Sequence, residues 1–278
     1  MLTLEGRRVL VTGGSRGIGR EVARAIAEVG GQVVVAARGE DAVRATVAEL
    51  PGEGHRGVAL DVAIEASWEA AINDMGPGLH GVVAAAGVLE PVGPPGSYAP
   101  EEFLHTVRIN LYGTWLAVSF CVPALRVGGG GSIITFSGGG ATAPFPRVHA
   151  YAASKAAIVR LTENLAYELA DDGITVNAIG PGFVATGIHD QVVDAGPKRA
   201  GDLHERTQRQ LAEGGVSPRA AAELAVFLLS DEARGISGKL ISAQWDDWRD
   251  AAFRARLTAD PDFATLRRVD DEAYRRVR

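Results

Sequence analysis

The sequence is poor in cysteine, in long apolar runs and in metal-binding patterns, and each absence removes a class of function. Cys121 is the only cysteine among 278 residues, so no disulfide can form within the chain. A single cysteine in an apolar helical stretch is typical of a reducing compartment, so we expect the cytoplasm. No apolar run reaches the roughly 18 residues of a membrane span, and Met1 to Arg8 has no leader-like character. The six histidines show no metal-ligand spacing, so no metal is expected.

Positive charge is also scarce. The formal net charge is -6, which argues against nucleic acid or an anionic membrane as a partner. What the chain has instead is 46% hydrophobic residues and 35 glycines, enough for one large core with many tight turns. We expect a single domain over residues 1–243, followed by a polar C-terminal extension over residues 244–278.

The most informative stretch is Tyr151-Ala-Ala-Ser-Lys155, which opens a run with apolar residues at helical spacing. Residues four apart lie on one helix face, so Tyr151 and Lys155 are neighbours. A tyrosine has an ordinary pKa near ~10, and a cation beside it stabilises the phenolate. The pair therefore predicts a proton donor and acceptor, although the same spacing also occurs on solvated helix faces.

A second motif lies near the start of the chain, where a strand at residues 7–12 runs into Gly13-Gly-Ser-Arg-Gly-Ile-Gly19 and then into a helix. Strand, glycine loop and helix together present free N–H groups and a positive helix end to a phosphate. The glycines allow the backbone to approach a pyrophosphate closely. We therefore predict a nucleotide-binding site here.

The end of the second strand distinguishes the two nicotinamide cofactors. An acidic side chain at this point binds the ribose 2′-hydroxyl of NAD, whereas arginine accommodates the 2′-phosphate of NADP. Here Ala37 replaces the acid and Arg38 follows it, while Arg16 lies in the glycine loop. Although Glu40 and Asp41 are close in sequence, the pattern favours NADP(H) over NAD(H).

Further strands are expected at residues 57–60, 80–85, 132–136 and 174–179, with helical stretches between them. Alternating strands and helices predict an α/β fold with a parallel sheet that is covered on both faces. Ligands then bind beyond the carboxyl ends of the strands. The sequence motifs that follow these strands all fall at that edge.

Several motifs agree in order and spacing: Thr12-Gly-x-x-x-Gly17-x-Gly19, Asp61, Asn110, Tyr151-x-x-x-Lys155 and Pro181-Gly182. Together they resemble the short-chain dehydrogenase/reductase family, over roughly Leu4 to Ser242. The resemblance implies a three-layer, doubly wound Rossmann-type fold with a mostly seven-stranded parallel sheet. It also implies hydride transfer between a nicotinamide and a carbonyl or alcohol, and pairing into a homodimer or homotetramer through the helices of Asn110 and Tyr151.

The resemblance also assigns roles. Tyr151 is expected to be the acid–base catalyst, Lys155 to hold the nicotinamide ribose and lower the pKa of Tyr151, Ser137 to bind the substrate oxygen, and Asn110 to anchor a water. Asp61 is expected to contact the adenine, and Thr186 the carboxamide or pyrophosphate. The full set of expected cofactor-binding residues is Gly13, Ser15, Arg16, Gly17, Ile18, Gly19, Arg38, Asp61, Val62, Ala86, Gly87, Tyr151, Lys155, Pro181, Gly182, Val184 and Thr186.

Two departures from the family pattern lie inside the site. Ala84-Ala-Ala-Gly87 stands where the family usually has Asn-Asn-Ala-Gly, which we interpret as a structural variation. The family serine commonly lies thirteen residues before the tyrosine, and that position is Gly138 here. Either a shift by one residue places Ser137 in the role, or the role moves to Thr142; we favour the shift.

The segment of residues 187–215 occupies the position of the family's substrate lid and is rich in charged residues. This composition favours a small polar or polyhydroxylated substrate. A 3-oxoacyl-thioester reductase, a cofactor-binding sensor without turnover and an isomerase or dehydratase remain alternatives. The extension contains Trp245 and Trp248 and is predicted to contact a second subunit, to cover the substrate cleft or to pack on the body of the domain.

Overall fold

The computed structural model describes residues 2–76 and 78–268. Its strands are β1 (Arg8–Thr12), β2 (Gln32–Ala37), β3 (Arg56–Ala59), β4 (Gly81–Ala84), β5 (Gly131–Phe136), β6 (Ile174–Gly180) and β7 (Leu240–Ser242). They form one seven-stranded parallel sheet in the order β3-β2-β1-β4-β5-β6-β7. The order reverses between β1 and β4, where an open parallel sheet binds its ligands. The predicted doubly wound fold is confirmed.

Helices cover both faces of this sheet. They are α1 (Gly17–Glu28), α2 (Glu40–Glu49), α3 (Glu65–Ala71), α4 (Pro100–Val107), α5 (Gly113–Val127), α6 (His149–Glu168), α7 (Asp190–Ala200), α8 (Asp202–Ala212), α9 (Pro218–Leu229) and α10 (Ala251–Ala259). One apolar layer packs α1, α2 and α9 on the sheet, and a second packs α3, α5 and α6 on the opposite face. Because both faces are covered, the central strands are buried apolar runs and do not alternate in polarity.

A local sequence signal explains where α9 begins, and a π-helical turn interrupts another helix. Ser217 caps α9, accepting a hydrogen bond from the Arg219 N–H at 3.2 Å, with Pro218 as first helical residue. The long helix predicted around Asn110 is present from α4 to α5, but a π-helical turn over Arg108–Tyr112 interrupts it. Such turns occur frequently at functional sites, and Asn110 lies in this one.

The C-terminal extension packs on the body of the domain as far as residue 268. Trp248 is 3% exposed and stacks on Phe227 of α9, while Trp245 is exposed. Lys239 is buried next to β7, and its Nζ donates to carbonyl oxygens of the extension at 2.6, 3.2 and 3.0 Å. Of the three arrangements predicted for the extension, packing on the body is the one found. Its last residues, including Arg275 and Arg276, lie outside the described part of the chain.

Candidate active site

The loop between β1 and α1 brings backbone, and few side chains, to the carboxyl edge of the sheet. Gly13 and Gly17 have φ of +65° and +54°, which glycine adopts without strain. A β-carbon on Gly13 would lie 2.8 Å from the Cα of Ala86, and one on Gly19 would overlap the Gly13 carbonyl oxygen. Any larger residue would push the loop away from β4. The loop instead leads directly into the first turn of α1, whose N–H groups are free for an anion.

A cleft of about 720 Å³ opens beside this loop. This volume lies within the roughly 300–1,000 Å³ that is usual for cofactor sites. The expected cofactor residues that line it are Gly13, Ser15, Arg16, Gly17, Ile18, Gly19, Arg38, Asp61, Val62, Ala86, Gly87 and Thr186. Val88, Ile109 and Ile188 also line it, and sequence analysis missed them because apolar residues at loop and helix ends carry no distinctive pattern.

The outer end of the cleft carries unneutralised positive charge. Arg16 and Arg38 both line it, and neither takes part in an ion pair with the described residues. The nearby acids Glu40 and Asp41 contact Arg44 instead. Two arginines are therefore available to an anion at this end of the cleft.

The residues around the cleft fit a nicotinamide dinucleotide. The Asp61 carboxylate faces the cleft from the end of β3 and accepts a hydrogen bond from the Ala63 N–H at 3.0 Å. The N–H of Ala86 donates to Thr12 Oγ1 at 3.4 Å, which ties the end of β4 to β1. The glycine loop, the exposed arginines and the small residues of β4 leave room for phosphates, ribose and adenine.

Tyr151 and Lys155 lie in the first two turns of α6, and neither is among the residues that line the cleft. A β-carbon on Gly87, which lines the cleft, would lie 3.7 Å from Lys155 Nζ and 3.3 Å from Asn110 Oδ1. Lys155 Nζ also donates to the Phe136 carbonyl oxygen at 2.8 Å. The cleft therefore reaches the ammonium predicted from the sequence.

Burial controls the protonation of this pair. Desolvation raises the pKa of Tyr151 to about 12 and lowers the pKa of Lys155 to about 8. The resemblance predicted a lowered pKa for Tyr151, and the structure gives the opposite direction. The cause is desolvation of the buried phenolate, which the Lys155 ammonium, 5.6 Å from the ring centroid, does not reverse.

Asn110 joins three segments of the site. Its Oδ1 accepts from the Val88 N–H, and its Nδ2 donates to the Val88 carbonyl oxygen, both at 2.9 Å. Nδ2 also donates to Ser154 Oγ at 3.0 Å, and this hydroxyl donates to the Tyr151 carbonyl oxygen at 2.7 Å. Both amide protons are thus used to fix the loop after β4 against α6. Ser154 was missed because the adjacent residue, Lys155, carried the recognisable motif.

Ser137 directly follows β5, on the face of the sheet that α6 covers. Side chains alternate along a strand, and Thr135, two residues earlier, contacts Thr162 of α6 at 2.8 Å. Ser137 is 3% exposed, and no described residue hydrogen-bonds to its Oγ. A buried hydroxyl without a partner is costly to the fold, so a ligand atom is a natural partner for it.

The other candidates for the serine's role have different surroundings. Gly138 presents backbone to the catalytic tyrosine, and a β-carbon there would overlap Tyr151 Oη. Thr142 is exposed on the following loop. The geometry favours Ser137 as the hydroxyl of the site.

Comparison with known proteins agrees with this geometry. The family model described as enoyl-(acyl carrier protein) reductase matches residues 13–244. The chain belongs to the short-chain dehydrogenase/reductase family. It is similar to the 3-alpha-(or 20-beta)-hydroxysteroid dehydrogenase of Mycobacterium bovis, with 34% identity over 84% of this chain and 86% of the relative. It is also similar to an NADPH-dependent aldehyde reductase-like chloroplast protein of Arabidopsis thaliana, with 31% identity over 86% of this chain and 93% of the relative.

Solved structures give the same result. A short-chain type dehydrogenase/reductase from Mycobacterium ulcerans has a TM-score of 0.76 and 29% identity, covering 87% of this chain and 89% of the other. The 3-ketoacyl-(acyl-carrier-protein) reductase of Brucella melitensis, solved with NADH, has a TM-score of 0.74 and 27% identity, covering 86% and 97%. The chain is thus an oxidoreductase of the short-chain family, which uses a nicotinamide cofactor.

As in the family pattern, a segment after β6 folds over the site. Its two ends meet in a parallel bridge between Val184 and Val216, where the Val216 N–H donates to the Phe183 carbonyl oxygen at 2.7 Å. Between them, α7 and α8 form a helical pair, which we call the lid. Pro181, Gly182 and Val184 belong to the base of the lid and are not among the residues that line the cleft, whereas Thr186 is.

The underside of the lid is apolar, although its sequence is polar. Val192, Ala200 and Leu203 of the lid pack with residues from the loops after β4 and β5. We call this group the Tyr151 cluster; it comprises Leu89, Val92, Val148, Val192, Ala200 and Leu203, with Phe145, Tyr151, Ile188 and Ala195 against it. The charged residues that suggested a polar substrate lie mainly on the outer face of the lid.

Gln191 fastens the lid to the loop after β4. Its Oε1 accepts from the N–H groups of Leu89 and Glu90 at 2.8 and 3.1 Å. The same loop is held from below by Asn110, through Val88. The lid is therefore closed over Tyr151 and connected to the catalytic helix by a continuous set of hydrogen bonds.

Proposed function

We propose that the protein is an NADP(H)-dependent oxidoreductase that interconverts a ketone or aldehyde and an alcohol. The observation that carries this proposal is that Lys155 Nζ lies next to Gly87, which lines the cleft, and 5.6 Å from the centroid of the Tyr151 ring. A nicotinamide bound beside Gly87 would therefore lie next to an ammonium and close to a phenol. This combination suits hydride transfer coupled to transfer of one proton.

The preference for NADP(H) rests on the outer end of the cleft. Arg16 and Arg38 line it without an acidic partner among the described residues, and Ala37 offers no carboxylate to a ribose hydroxyl. A 2′-phosphate would supply the missing anion. The structure of the Brucella relative was solved with NADH, so the test of this preference compares the binding of NADPH with that of NADH.

Each residue has a distinct part in the proposed reaction. A nicotinamide held in the cleft would supply the hydride chemistry at the carbonyl carbon. Tyr151 gives its hydroxyl proton to the carbonyl oxygen, and Lys155 stabilises the phenolate that results. Ser137 Oγ donates a hydrogen bond that orients the same oxygen, and Asn110 holds the loop and α6 in register. Because burial raises the pKa of Tyr151 to about 12, the tyrosine carries its proton at neutral pH, the form that a proton donor in carbonyl reduction needs.

We propose that the part of the substrate next to the carbonyl is compact and apolar, because it must lie against the Tyr151 cluster. This replaces the polyhydroxylated substrate expected from the lid composition. A 3-oxoacyl-thioester reductase is the second candidate. The matching family model and the Brucella structure are both described as acyl-carrier-protein reductases. A sensor without turnover would need the same cofactor site and no competent Tyr151.

We also propose a homodimer or homotetramer in the cytoplasm. Leu104, Trp115 and Tyr167 expose 44, 45 and 90% of their surface along α4, α5 and α6, which is unusual for apolar and aromatic residues on a solvated face. No helix in the described residues is long and apolar enough to cross a membrane. Light scattering of the purified protein gives the mass directly, and a monomer would contradict the proposed pairing.

The function is tested by titrating the protein with NADPH and NADH and then assaying aldehydes, ketones and 3-oxoacyl thioesters by the nicotinamide absorbance. We expect tighter binding of NADPH and turnover of at least one carbonyl. Turnover restricted to thioesters would select the second candidate. Tight binding without turnover on any member would favour the sensor, and no binding of either cofactor would contradict the assignment of the cleft.

A further inference from the structure

Two arginines lie at the edge of the Tyr151 cluster. Arg147 directly precedes Val148, and Arg199 directly precedes Ala200; both apolar residues are fully buried in the cluster. One arginine comes from the loop after β5 and the other from the lid. The lid therefore places Arg199 beside the loop that carries Arg147, at the edge of the Tyr151 cluster.

The backbone holds Arg147 in an unusual conformation. Its φ is +75°, in the left-handed region that non-glycine residues rarely adopt and that costs free energy. The Arg147 carbonyl oxygen accepts from the Gly93 N–H at 2.8 Å. A β-carbon on Gly201, which has φ of +57°, would lie 3.4 Å from Arg147 Nε and Nη2, so the guanidinium lies against the junction between α7 and α8.

Each of the two arginines makes only a long hydrogen bond to a backbone carbonyl oxygen. Arg147 Nη1 donates to the Arg199 carbonyl oxygen at 3.5 Å, and Arg199 Nη2 donates to the Ser97 carbonyl oxygen at 3.4 Å. Both distances exceed the 2.7–2.9 Å that is usual for charge-assisted hydrogen bonds. Carbonyl oxygens at this range neutralise little of the charge.

Neither arginine has an acidic partner in the part of the chain that the structure describes. The contrast with other arginines is clear: Arg219 contacts three glutamates, and Arg267 contacts Glu163 and Asp262. Two guanidinium groups without an acidic partner, at the edge of the apolar Tyr151 cluster, form a place where a carboxylate or phosphate binds favourably, since their planar donors match either anion.

We propose that the substrate carries, besides its carbonyl, an anionic group that binds between Arg147 and Arg199 when the lid closes. The carbonyl then lies at Tyr151, an apolar segment crosses the Tyr151 cluster, and a carboxylate or phosphate reaches the rim. This inference deepens the proposed function and rests on it. It also explains how a lid with an apolar underside acts on a molecule that is charged at one end.

The test compares matched substrates. Ketones with a terminal carboxylate are assayed beside their methyl esters, and ketones with a terminal phosphate monoester beside the corresponding alcohols, at several chain lengths. The variants are Arg199→Gln and Arg147→Asn, since asparagine tolerates a positive φ. Lys198→Gln is the control, because it removes the same charge from the neighbouring residue of the lid.

We expect each arginine variant to lower kcat/KM for the anionic ketones at least tenfold, mainly by raising KM. For the neutral counterparts, kcat/KM should change less than twofold. The relative effect on carboxylates and phosphates identifies the anion. Equal losses on charged and neutral ketones, or an equal loss in Lys198→Gln, would overturn the proposal.

A binding measurement separates this inference from the proposed function. Calorimetry on the NADPH-loaded wild-type protein compares each carboxylated ketone with its ester, whether or not either is turned over. Tighter binding of the carboxylate, lost in Arg199→Gln, supports the subsite even if no ketone is reduced. Binding of the ester as tight as that of the carboxylate overturns the subsite even if ketones are reduced.

Discussion

Gly138 and Tyr151 are in contact on the substrate side of the site, so close that a β-carbon at position 138 would overlap the Tyr151 hydroxyl oxygen. In the family pattern this position commonly carries the serine that binds the substrate oxygen. Here the position is Gly138, whose backbone packs directly against the hydroxyl end of Tyr151. The partnerless hydroxyl of Ser137, one residue earlier, is buried on the same face of the sheet.

Restoring the family serine should therefore harm this enzyme. In Gly138→Ser the new side chain displaces Tyr151, so we expect turnover to fall at least tenfold while the affinity for NADPH changes little. Steady-state kinetics and cofactor titration measure both quantities. An increase in turnover would show that the serine is functionally missing at position 138 and that Ser137 does not replace it.

Ser137→Ala should separate activity from stability. We expect turnover to fall by roughly 10²-fold, in the range for loss of one oxyanion donor. The free energy of unfolding should stay the same or rise by up to about 1 kcal/mol, because a buried hydroxyl without a partner is removed. Thr142→Ala serves as the control and should change neither quantity. Loss of turnover in Thr142→Ala alone would assign the role to Thr142.

The cofactor preference depends on Arg38. Arg38→Ala should weaken NADPH binding by about 10- to 100-fold, the value of one or two charge-assisted hydrogen bonds, and leave NADH binding nearly unchanged. Arg44→Ala is the matched control, because Arg44 is paired with Glu40 and Asp41 outside the proposed phosphate site. Equal weakening of both cofactors by Arg38→Ala would refute the 2′-phosphate contact.

The buried ammonium of Lys155 should make stability depend on pH. Its pKa is lowered by burial from 10.5 to about 8, so between these values the unfolded chain binds the proton more strongly than the folded chain. The Lys155 contribution to stability therefore rises as pH increases from about 8 to 10.5. Lys155→Met should melt at a higher temperature than wild type at pH 7, and this difference should shrink above pH 8. A variant that is less stable than wild type at every pH would contradict the effect.

The sequence predicted much of this arrangement because its signals are local. The glycine loop and the Tyr151–Lys155 spacing each depend on neighbours along the chain. The seven-stranded parallel sheet followed from the family resemblance, and the structure confirms it.

What the sequence did not predict depends on packing between distant segments. Gln191 accepts hydrogen bonds from the backbone of the loop after β4, and Ser154 accepts one from the Asn110 side chain; no spacing rule specifies either contact. The polarity of the lid was misread because its composition does not tell which side faces Tyr151. The direction of the Tyr151 pKa was wrong because burial of the ring depends on Phe145 and on the closed lid.

The central claim is that Tyr151 donates the proton in a nicotinamide-dependent carbonyl reduction, and Tyr151→Phe tests it most directly. Wild type and variant are titrated with NADPH and then assayed in a single turnover on a carbonyl that wild type reduces. The account predicts that the variant binds NADPH as wild type does and reduces the substrate at least about 10²-fold more slowly, as expected for loss of a general acid. An unchanged rate in the variant would contradict the account.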